Sequence, residues 1–129
     1  MESLTIGVRG AATVKVGAAN TAAALGSGDL LVFGTPALVA LMERAAVTAV
    51  AGYLGPDETT VGTWLEVAHL AATPVGAEIR AEAQLVVVEG RKLTFAVVAF
   101  DHRQKIGEGR HQRMRVDRGR FLDKVGATP

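Results

Sequence analysis

The longest apolar stretch of the chain, residues 33–50, has the period of an α-helix that is apolar on almost every side. At about 100° per residue, its main apolar face holds Leu38, Leu41, Met42, Ala45 and Ala49. Thr35 is a favoured N-cap residue, and Pro36 is favoured at the first helical position. Gly55 and Pro56 end the pattern, so a helix of roughly 17 residues is predicted.

After the helix, the hydrophobic pattern changes to a period of two, which is typical of strands. The stretch TVGTWLEVAHLAAT places six residues on one face: Val61, Thr63, Leu65, Val67, His69 and Ala71. Residues 77–116 predict three further strands, with turns at 89–92 and near 103–105. Residues 4–17 predict one or two short strands, and residues 118–125 a short tail.

The order of these elements predicts the fold class. Successive strands joined by short turns are antiparallel, so the four strands after the helix are expected to form a meander. A lone helix that is apolar nearly all round has to be enclosed, and the sheet should therefore curl around it. This is an α+β hotdog fold, an antiparallel sheet wrapped around one long central helix. Residues 1–129 contain no linker or repeat and are expected to form a single domain.

The composition favours association of the chain with itself. Of the 129 residues, 49% are hydrophobic but only 5% are aromatic, so small residues have to fill the core. A lean core in a short chain often gains stability from a partner subunit. Since hotdog protomers usually pair, we expect a homodimer or a dimer of dimers.

Charge and cysteine content exclude several classes of function. A net charge of +1 argues against nucleic acid as the main partner. The absence of cysteine excludes disulfides, thiolate metal sites and a cysteine nucleophile. The start of the sequence, MESLTIGVRG, lacks the basic region and apolar run of a signal peptide, and no apolar stretch approaches the ~20 residues of a membrane span. A cytoplasmic protein without a membrane partner is therefore expected.

Glu43 is an unexpected acid in the helical stretch. Its helical neighbours Val39, Val47 and Val50 are apolar, so the carboxylate is expected to be at least partly buried. A buried carboxylate needs a partner or takes up a proton. Two interpretations remain open: a salt bridge or hydrogen bond to a neighbouring strand, or a catalytic acid, base or nucleophile.

His69 raises the same question on the predicted strand. A lone inward histidine is more often structural than catalytic. Together with Glu43 and the Thr35 hydroxyl at the helix start, however, it completes a set of nucleophile, acid and base suited to acyl transfer. The sequence does not show that the three side chains meet.

Two weaker features have simpler interpretations. The segment GEGRHQR lacks the spacing of a phosphate-binding loop and is expected to be, for the most part, a solvated strand. His102 and His111 lack the ligand spacing of a metal site, so no metal is predicted.

Four collinear motifs give the chain a family resemblance. FGTPALVALMERA, VGTWLEVAHLAATPVG, VEGRKLTFAVVAFD and IGEGRHQRMRV together resemble the fluoroacetyl-CoA thioesterases, single-domain hotdog enzymes. The resemblance implies a catalytic set of Thr35, Glu43 and His69. It also implies that Gly62 contacts the substrate near its carbonyl and that Arg113 takes part in substrate binding.

The resemblance implies hydrolysis of an acyl-CoA thioester to a free acid and coenzyme A. The substrate is then a small acyl-CoA molecule, and no cofactor is needed beyond the coenzyme A that it carries. The family has aromatic residues just before the helix that close over a small acyl group. Here the segment reads GSGDLLVF, which implies a different, larger acyl group.

Two chemical routes and two other functions stay open. Thr35 could attack the thioester with His69 as base and Glu43 orienting His69, as in a catalytic triad. Alternatively, Glu43 could attack it or activate water while His69 and Thr35 position the thioester. The basic run Arg110, Arg113, Arg115 and Arg118 could hold the phosphates of coenzyme A. The other functions are a hotdog hydratase or dehydratase acting on acyl-CoA, and a non-catalytic module that binds coenzyme A or acyl groups.

Overall fold

The structure, a computed structural model, describes residues 3–127. The outermost two residues at each end, which belong to the expected domain 1–129, lie outside the described part. The chain forms, in order, β1 (Arg9–Lys15), α1 (Ala22–Leu25), α2 (Thr35–Val50), a 3₁₀-helix (Ala51–Tyr53), β2 (Glu58–His69), β3 (Glu78–Glu89), β4 (Lys92–Phe100), β5 (Lys105–Asp117) and α3 (Arg118–Lys124). Within residues 3–127, no helix is long and apolar enough to cross a membrane.

The five strands form one antiparallel sheet in the order β1-β3-β4-β5-β2. The sheet curls around α2, which packs against β1, β2, β3 and β4. The apolar face expected from the helical period is buried: Leu38, Leu41, Met42, Ala45 and Ala49 all lie in the core. The predicted arrangement of a sheet around one central helix is therefore confirmed.

The predicted four-strand meander was wrong at its first strand. Strands β3, β4 and β5 follow one another as neighbours, with the turns where they were expected, but β2 pairs with β5. Strand β3 pairs with β1 on one side and with β4 on the other, so β2 cannot pair with β3 and instead pairs with the free side of β5. This places β2 at one edge of the sheet.

The N-cap of α2 is Gly34 and not Thr35, so the predicted cap was wrong by one position. Gly34 is extended, with φ −78° and ψ 143°, and no side chain caps the helix. A Cβ on Gly34 would lie 3.1 Å from the backbone nitrogen of Ala22, so the chain passes close to α1 there. Since capping does not use the Thr35 hydroxyl, it is available for another partner.

A β-bulge breaks the predicted alternation of β2. The pairing with β5 shifts between Gly62 and Trp64, so Thr63 has no opposite residue in that ladder. Directly paired residues point to the same face of a sheet. Gly62 therefore shares the inner face with the buried Arg113, whereas the predicted inward residue Val61 faces the other way. Beyond the bulge, His69 keeps its predicted inward position, opposite the buried Gly107.

Two short helices, α1 and α3, were not predicted from the sequence. In α1, the Thr21 hydroxyl accepts a hydrogen bond from the backbone of Ala24. The predicted tail is largely helical as α3, where the Asp117 carboxylate accepts from the backbone of Arg120. Both helices have seven residues or fewer, too short for a hydrophobic period to show.

Candidate active site

Thr35 and His69 meet at the start of α2. The Thr35 hydroxyl lies 2.7 Å from Nδ1 of His69, within hydrogen-bonding distance. Thr35 is the first residue of the helix and His69 the last residue of β2, so two different elements fix the pair. Burial lowers the pKa of His69 below its ordinary value of 6.5, and the imidazole is therefore neutral at neutral pH. A neutral imidazole beside a hydroxyl can act as a base toward it.

Glu43 lies farther along α2, with a different partner. Its Oε2 accepts a hydrogen bond from Nη1 of Arg113 at 3.0 Å. The Glu43 side chain is 37% exposed, so the carboxylate is partly buried, as expected, and still reaches solvent. The salt bridge to a strand, one of the two interpretations from sequence, is therefore present. It leaves one carboxylate oxygen, Oε1, free of this contact.

Arg113 is held from three directions. Its Nε donates to the hydroxyl of Thr60 at 2.8 Å, and Nη2 donates to the Thr60 carbonyl at 3.1 Å. Its Nη1 is shared between Glu43 and Nε2 of His111, at 3.0 and 3.1 Å. Because Arg113 is only 6% exposed, these protein groups and not water take up most of its donors. In this position Arg113 orients Glu43, and its direct contact with substrate stays a prediction.

Gly62 makes room for the Glu43 carboxylate. A Cβ at this position would lie 2.5 Å from Oε2 of Glu43 and 3.3 Å from Nη1 of Arg113. Any side chain would therefore push the carboxylate away or break its ion pair. The glycine predicted at the substrate carbonyl thus lies against the acid, beside the bulge in β2.

His111 is a site residue that the sequence analysis did not identify. It is fully buried, its Nδ1 lies 2.9 Å from the carbonyl oxygen of Trp64, and its ring stacks on Phe95. Strand alternation around the buried Arg113 puts His111 on the inner face, and this signal was available in the sequence. Thr60 was also missed, because a threonine near a strand end carries no distinctive signal.

The sequence interpretation of GEGRHQR was therefore half wrong. Glu108 and Arg110 are exposed, as expected for a solvated strand, but His111 and Arg113 are buried. The proposed basic run also divides, because Arg113 faces inward and Arg115 pairs with Glu58 at 2.8 Å. Residues 3–127 hold no group of three or more His, Asp or Glu side chains placed to bind a metal. That the site works without a metal stays a prediction.

A single chain does not bring the three predicted catalytic residues together. Thr35 is bonded to His69, whereas Glu43 is bonded to Arg113. Eight residues of helix separate Thr35 from Glu43, about 12 Å along the axis. One chain therefore carries two half-sites, a hydroxyl–imidazole pair and a carboxylate–guanidinium pair.

A cavity of about 330 Å³ opens at the first half-site. It is lined by Ala22, Ser27, Val32, Phe33, Thr35, His69, Leu70, Ala71 and Ala72. Apart from Ser27, Thr35 and His69 these side chains are apolar, so the cavity suits a hydrocarbon group next to a reactive hydroxyl. Another cavity, about 580 Å³ beside α3, contains none of the predicted site residues.

Comparison with known proteins identifies relatives over most of the chain. Residues 16–119 match the family described as fluoroacetyl-CoA-specific thioesterase, FlK. The chain is 45% identical to the fluoroacetyl-CoA thioesterase of Streptantibioticus cattleyicolor over 94 residues, which are 73% of this chain and 68% of that protein. A crystal structure of FlK is 36% identical, superposes with a TM-score of 0.90, and is matched over 99% of this chain and 100% of that chain.

A more distant structure shows how widely the fold is shared. A thioesterase superfamily member from Thermus thermophilus is 23% identical, with a TM-score of 0.89 over 98% of this chain and 93% of that chain. At this identity the likeness concerns the fold alone, in agreement with the sheet and helix described above.

Proposed function

The chain belongs to the fluoroacetyl-CoA-specific thioesterase family and is a thioester hydrolase that acts on acyl-CoA, and we propose that Thr35, Glu43 and His69 carry out this reaction at a site shared between two copies of the chain. The observation that carries this proposal is the division of the site. Thr35 and His69 form one half, and Glu43 with Arg113 forms the other. The acyl-CoA is the substrate, and the reaction needs no cofactor besides the coenzyme A that leaves.

Thr35 is the nucleophile in this proposal. Its Oγ1 attacks the thioester carbonyl while its proton passes to His69, 2.7 Å away. The C–S bond then breaks, the sulfur of coenzyme A takes the proton, and the acyl group stays on Thr35. Water attacks the acyl-threonine, releasing the acid and restoring the hydroxyl. Since Thr35 stands at the N-terminus of α2, the helix dipole favours the negative charge that develops there.

Glu43 of a second copy completes the site by activating that water. Strand β2 lies at a sheet edge, and it contacts both half-sites, through His69 at its end and through Thr60 near its start. If two copies pair antiparallel through β2 about its midpoint, His69 of one copy lies opposite 58–60 of the other. Thr60 is the residue that holds Arg113, which in turn holds Glu43. The pairing therefore brings the two half-sites together.

The exposed edge itself supports a homodimer. Strand β2 has 12 residues and carries Trp64 at 43% and Leu65 at 36% exposure. A long apolar edge strand promotes aggregation of a monomeric protein, because its unpaired backbone N–H and C=O groups can pair with a strand of another molecule. A twofold β2–β2 contact covers this edge and gives two identical sites. Assembly of such dimers into pairs is compatible with this contact.

The bulge in β2 supplies a candidate oxyanion donor. Because Thr63 has no opposite residue on β5, its backbone N–H is released from that ladder beside Gly62. A donor of this kind stabilises the negative charge on the carbonyl oxygen during attack. We assign this role to the backbone at Gly62 and Thr63.

The cavity at Thr35 supports an acyl group larger than fluoroacetyl. Its apolar wall is formed by Ala22 of α1, by Val32 and Phe33, and by residues 70–72. The segment before α2 contributes Phe33 as its one aromatic side chain, and Leu30 and Leu31 next to it are exposed. An unsubstituted alkyl chain of intermediate length suits such a wall better than a small polar acyl group. Acyl-CoA as substrate also supports a location in the cytoplasm.

Release of free thiol from a panel of acyl-CoAs tests the proposed function. The panel should contain acetyl-, fluoroacetyl-, butyryl-, hexanoyl- and phenylacetyl-CoA, and activity should rise from the two-carbon to the intermediate chains. A hydratase would change enoyl-CoA absorbance without releasing thiol. A binding module would raise the melting temperature with coenzyme A and release none. Either of these outcomes would reject the proposal.

A further inference from the structure

His111 connects the bulge in β2 to the guanidinium of Arg113. On one side its Nδ1 contacts the Trp64 carbonyl, at the bulge in β2. On the other side its Nε2 contacts Nη1 of Arg113, which holds Glu43. No other side chain among residues 3–127 has hydrogen bonds to both the bulge and the guanidinium.

These contacts fix the protonation state of the ring. A carbonyl oxygen only accepts hydrogen bonds, so Nδ1 of His111 has to carry a proton. The guanidinium of Arg113 only donates, so Nε2 has to keep its lone pair. His111 is therefore the neutral tautomer protonated at Nδ1. Burial also disfavours the charged form and, with the neighbouring Arg113 cation, lowers the pKa of His111, outweighing the Trp64 carbonyl and the Glu43 carboxylate, which act in the opposite direction.

The neutral ring determines where the Glu43 carboxylate lies. The two hydrogens of Nη1 on Arg113 have two acceptors, Oε2 of Glu43 and Nε2 of His111. A proton on Nε2 would face the guanidinium and would also compete for Oε2 of Glu43, 3.9 Å away. Either effect would turn Arg113 or draw the carboxylate from its position against Gly62.

We propose that His111 is a positioning residue. As the neutral tautomer protonated at Nδ1, it links the β2 bulge to Arg113 and so holds the Glu43 carboxylate in the position from which it reacts. It does not touch the substrate, because it is fully buried behind the carboxylate. Its kinetic consequence rests on the proposed function, whereas the state of its ring does not. The two can therefore be tested separately.

Nitrogen-15 NMR of the histidine rings tests the tautomer without any substrate. The chain has three histidines, so the His111 signals are those that remain in both His69→Gln and His102→Gln, and they should show a protonated Nδ1 and an unprotonated Nε2 at neutral pH. A ring protonated at Nε2, or at both nitrogens, would overturn the proposal. This measurement holds even if a kinetic variant fails to fold.

Kinetics then test the positioning role. Gln offers Arg113 an acceptor oxygen, whereas Leu offers none, so His111→Leu should lower kcat on the order of 10–100-fold and His111→Gln by no more than about tenfold, with KM nearly unchanged. The exposed His102, changed to Leu, is the matched control. Equal losses in both His111 variants, or full kcat in a folded His111→Leu, would contradict the role. A parent chain that releases thiol from no acyl-CoA would reject the proposed function and the kinetic role, but not the tautomer.

Discussion

Glu43 forms its ion pair with Arg113, Oε2 to Nη1 at 3.0 Å, across the gap between helix α2 and strand β5. The acid that stands out in an apolar helix therefore has a structural partner. This partner does not exclude a catalytic role for Glu43. The Glu43 side chain is 37% exposed and so can reach water or substrate, whereas Arg113 is buried. The ion pair holds Oε2 and leaves Oε1 free of this contact, as the proposed activation of water requires.

Removal of the charge on Glu43 should stop turnover without loss of the fold. Glu43→Gln keeps an acceptor for Arg113 but cannot take a proton, so kcat should fall on the order of 10²-fold or more. Steady-state thiol release and thermal unfolding measure the two effects. The control is Glu89→Gln, which changes an exposed acid paired with Lys92. Near-parental turnover in Glu43→Gln would remove Glu43 from the mechanism.

The alanine variant separates structure from catalysis. Glu43→Ala leaves the buried guanidinium of Arg113 without its carboxylate, so the protein should lose about 1–3 kcal/mol of unfolding free energy, and Glu43→Gln should lose less. Chemical denaturation of the three proteins measures the difference. Equal stability of all three would mean that the ion pair contributes nothing to the fold.

Thr35 should be required as a nucleophile, with serine able to replace it. Thr35→Ala should lower kcat on the order of 10³-fold, whereas Thr35→Ser retains the attacking hydroxyl. The fold should not suffer, because the hydroxyl caps no helix. Thr48→Ala, on the same helix and exposed, is the control. Intact mass spectrometry after rapid quenching should find the acyl group on the parent and not on Thr35→Ala, and full turnover by Thr35→Ala would exclude the acyl-threonine.

Gly62→Ala should damage the site through a single methyl group. The new Cβ would lie 2.5 Å from Oε2 of Glu43, so the carboxylate has to move and kcat should fall on the order of 10–100-fold. Gly52→Ala is the matched control, because a Cβ there meets open space. If Gly62→Ala turns over substrate as fast as Gly52→Ala, the carboxylate does not act from its observed position.

The pH–rate profile should have its acid limb below 6.5. His69 acts as a base only when neutral, and burial lowers its pKa from 6.5, so activity is kept until the pH falls through that lowered value. The stability of the fold should change in the same direction. The partly buried His69 and the buried His111 both have lowered pKa values, so they bind protons less readily in the folded than in the unfolded chain, and stability declines as the pH falls below 6.5. Profiles of kcat/KM for the parent and His102→Gln should coincide. An acid limb above 6.5 would exclude His69 as the base.

Periodicity predicted the fold because each long element has one buried face. The apolar surround of α2 required an enclosing sheet, and the structure provides it. The pairing of β2 with β5 was not predictable, because alternation says which face is buried and not which neighbour supplies the hydrogen bonds. The bulge after Gly62 was not predictable either. One extra residue in β2 exchanges the inward and outward faces of the rest of the strand, and the residue types along the strand do not show where this happens.

Candidate residues for the site could be named from the sequence, but not their grouping in the structure. Thr35, Glu43 and His69 were identified from their surroundings and from family resemblance, but their separation into two half-sites depends on the path of the chain. His111 was overlooked because its role comes from contacts across strands. A sequence shows that a histidine faces inward, but not that its two nitrogens meet a carbonyl and a guanidinium.

The most direct test of the shared site is to mix two inactive variants. Thr35→Ala and Glu43→Gln proteins are combined in equal amounts, unfolded and refolded together, and assayed for thiol release. If each site takes Thr35 and His69 from one copy and Glu43 from another, mixed dimers contain one intact site, and about a quarter of parental activity should return. If all three residues act within one chain, every site keeps one defect, and the mixture should stay as inactive as its components.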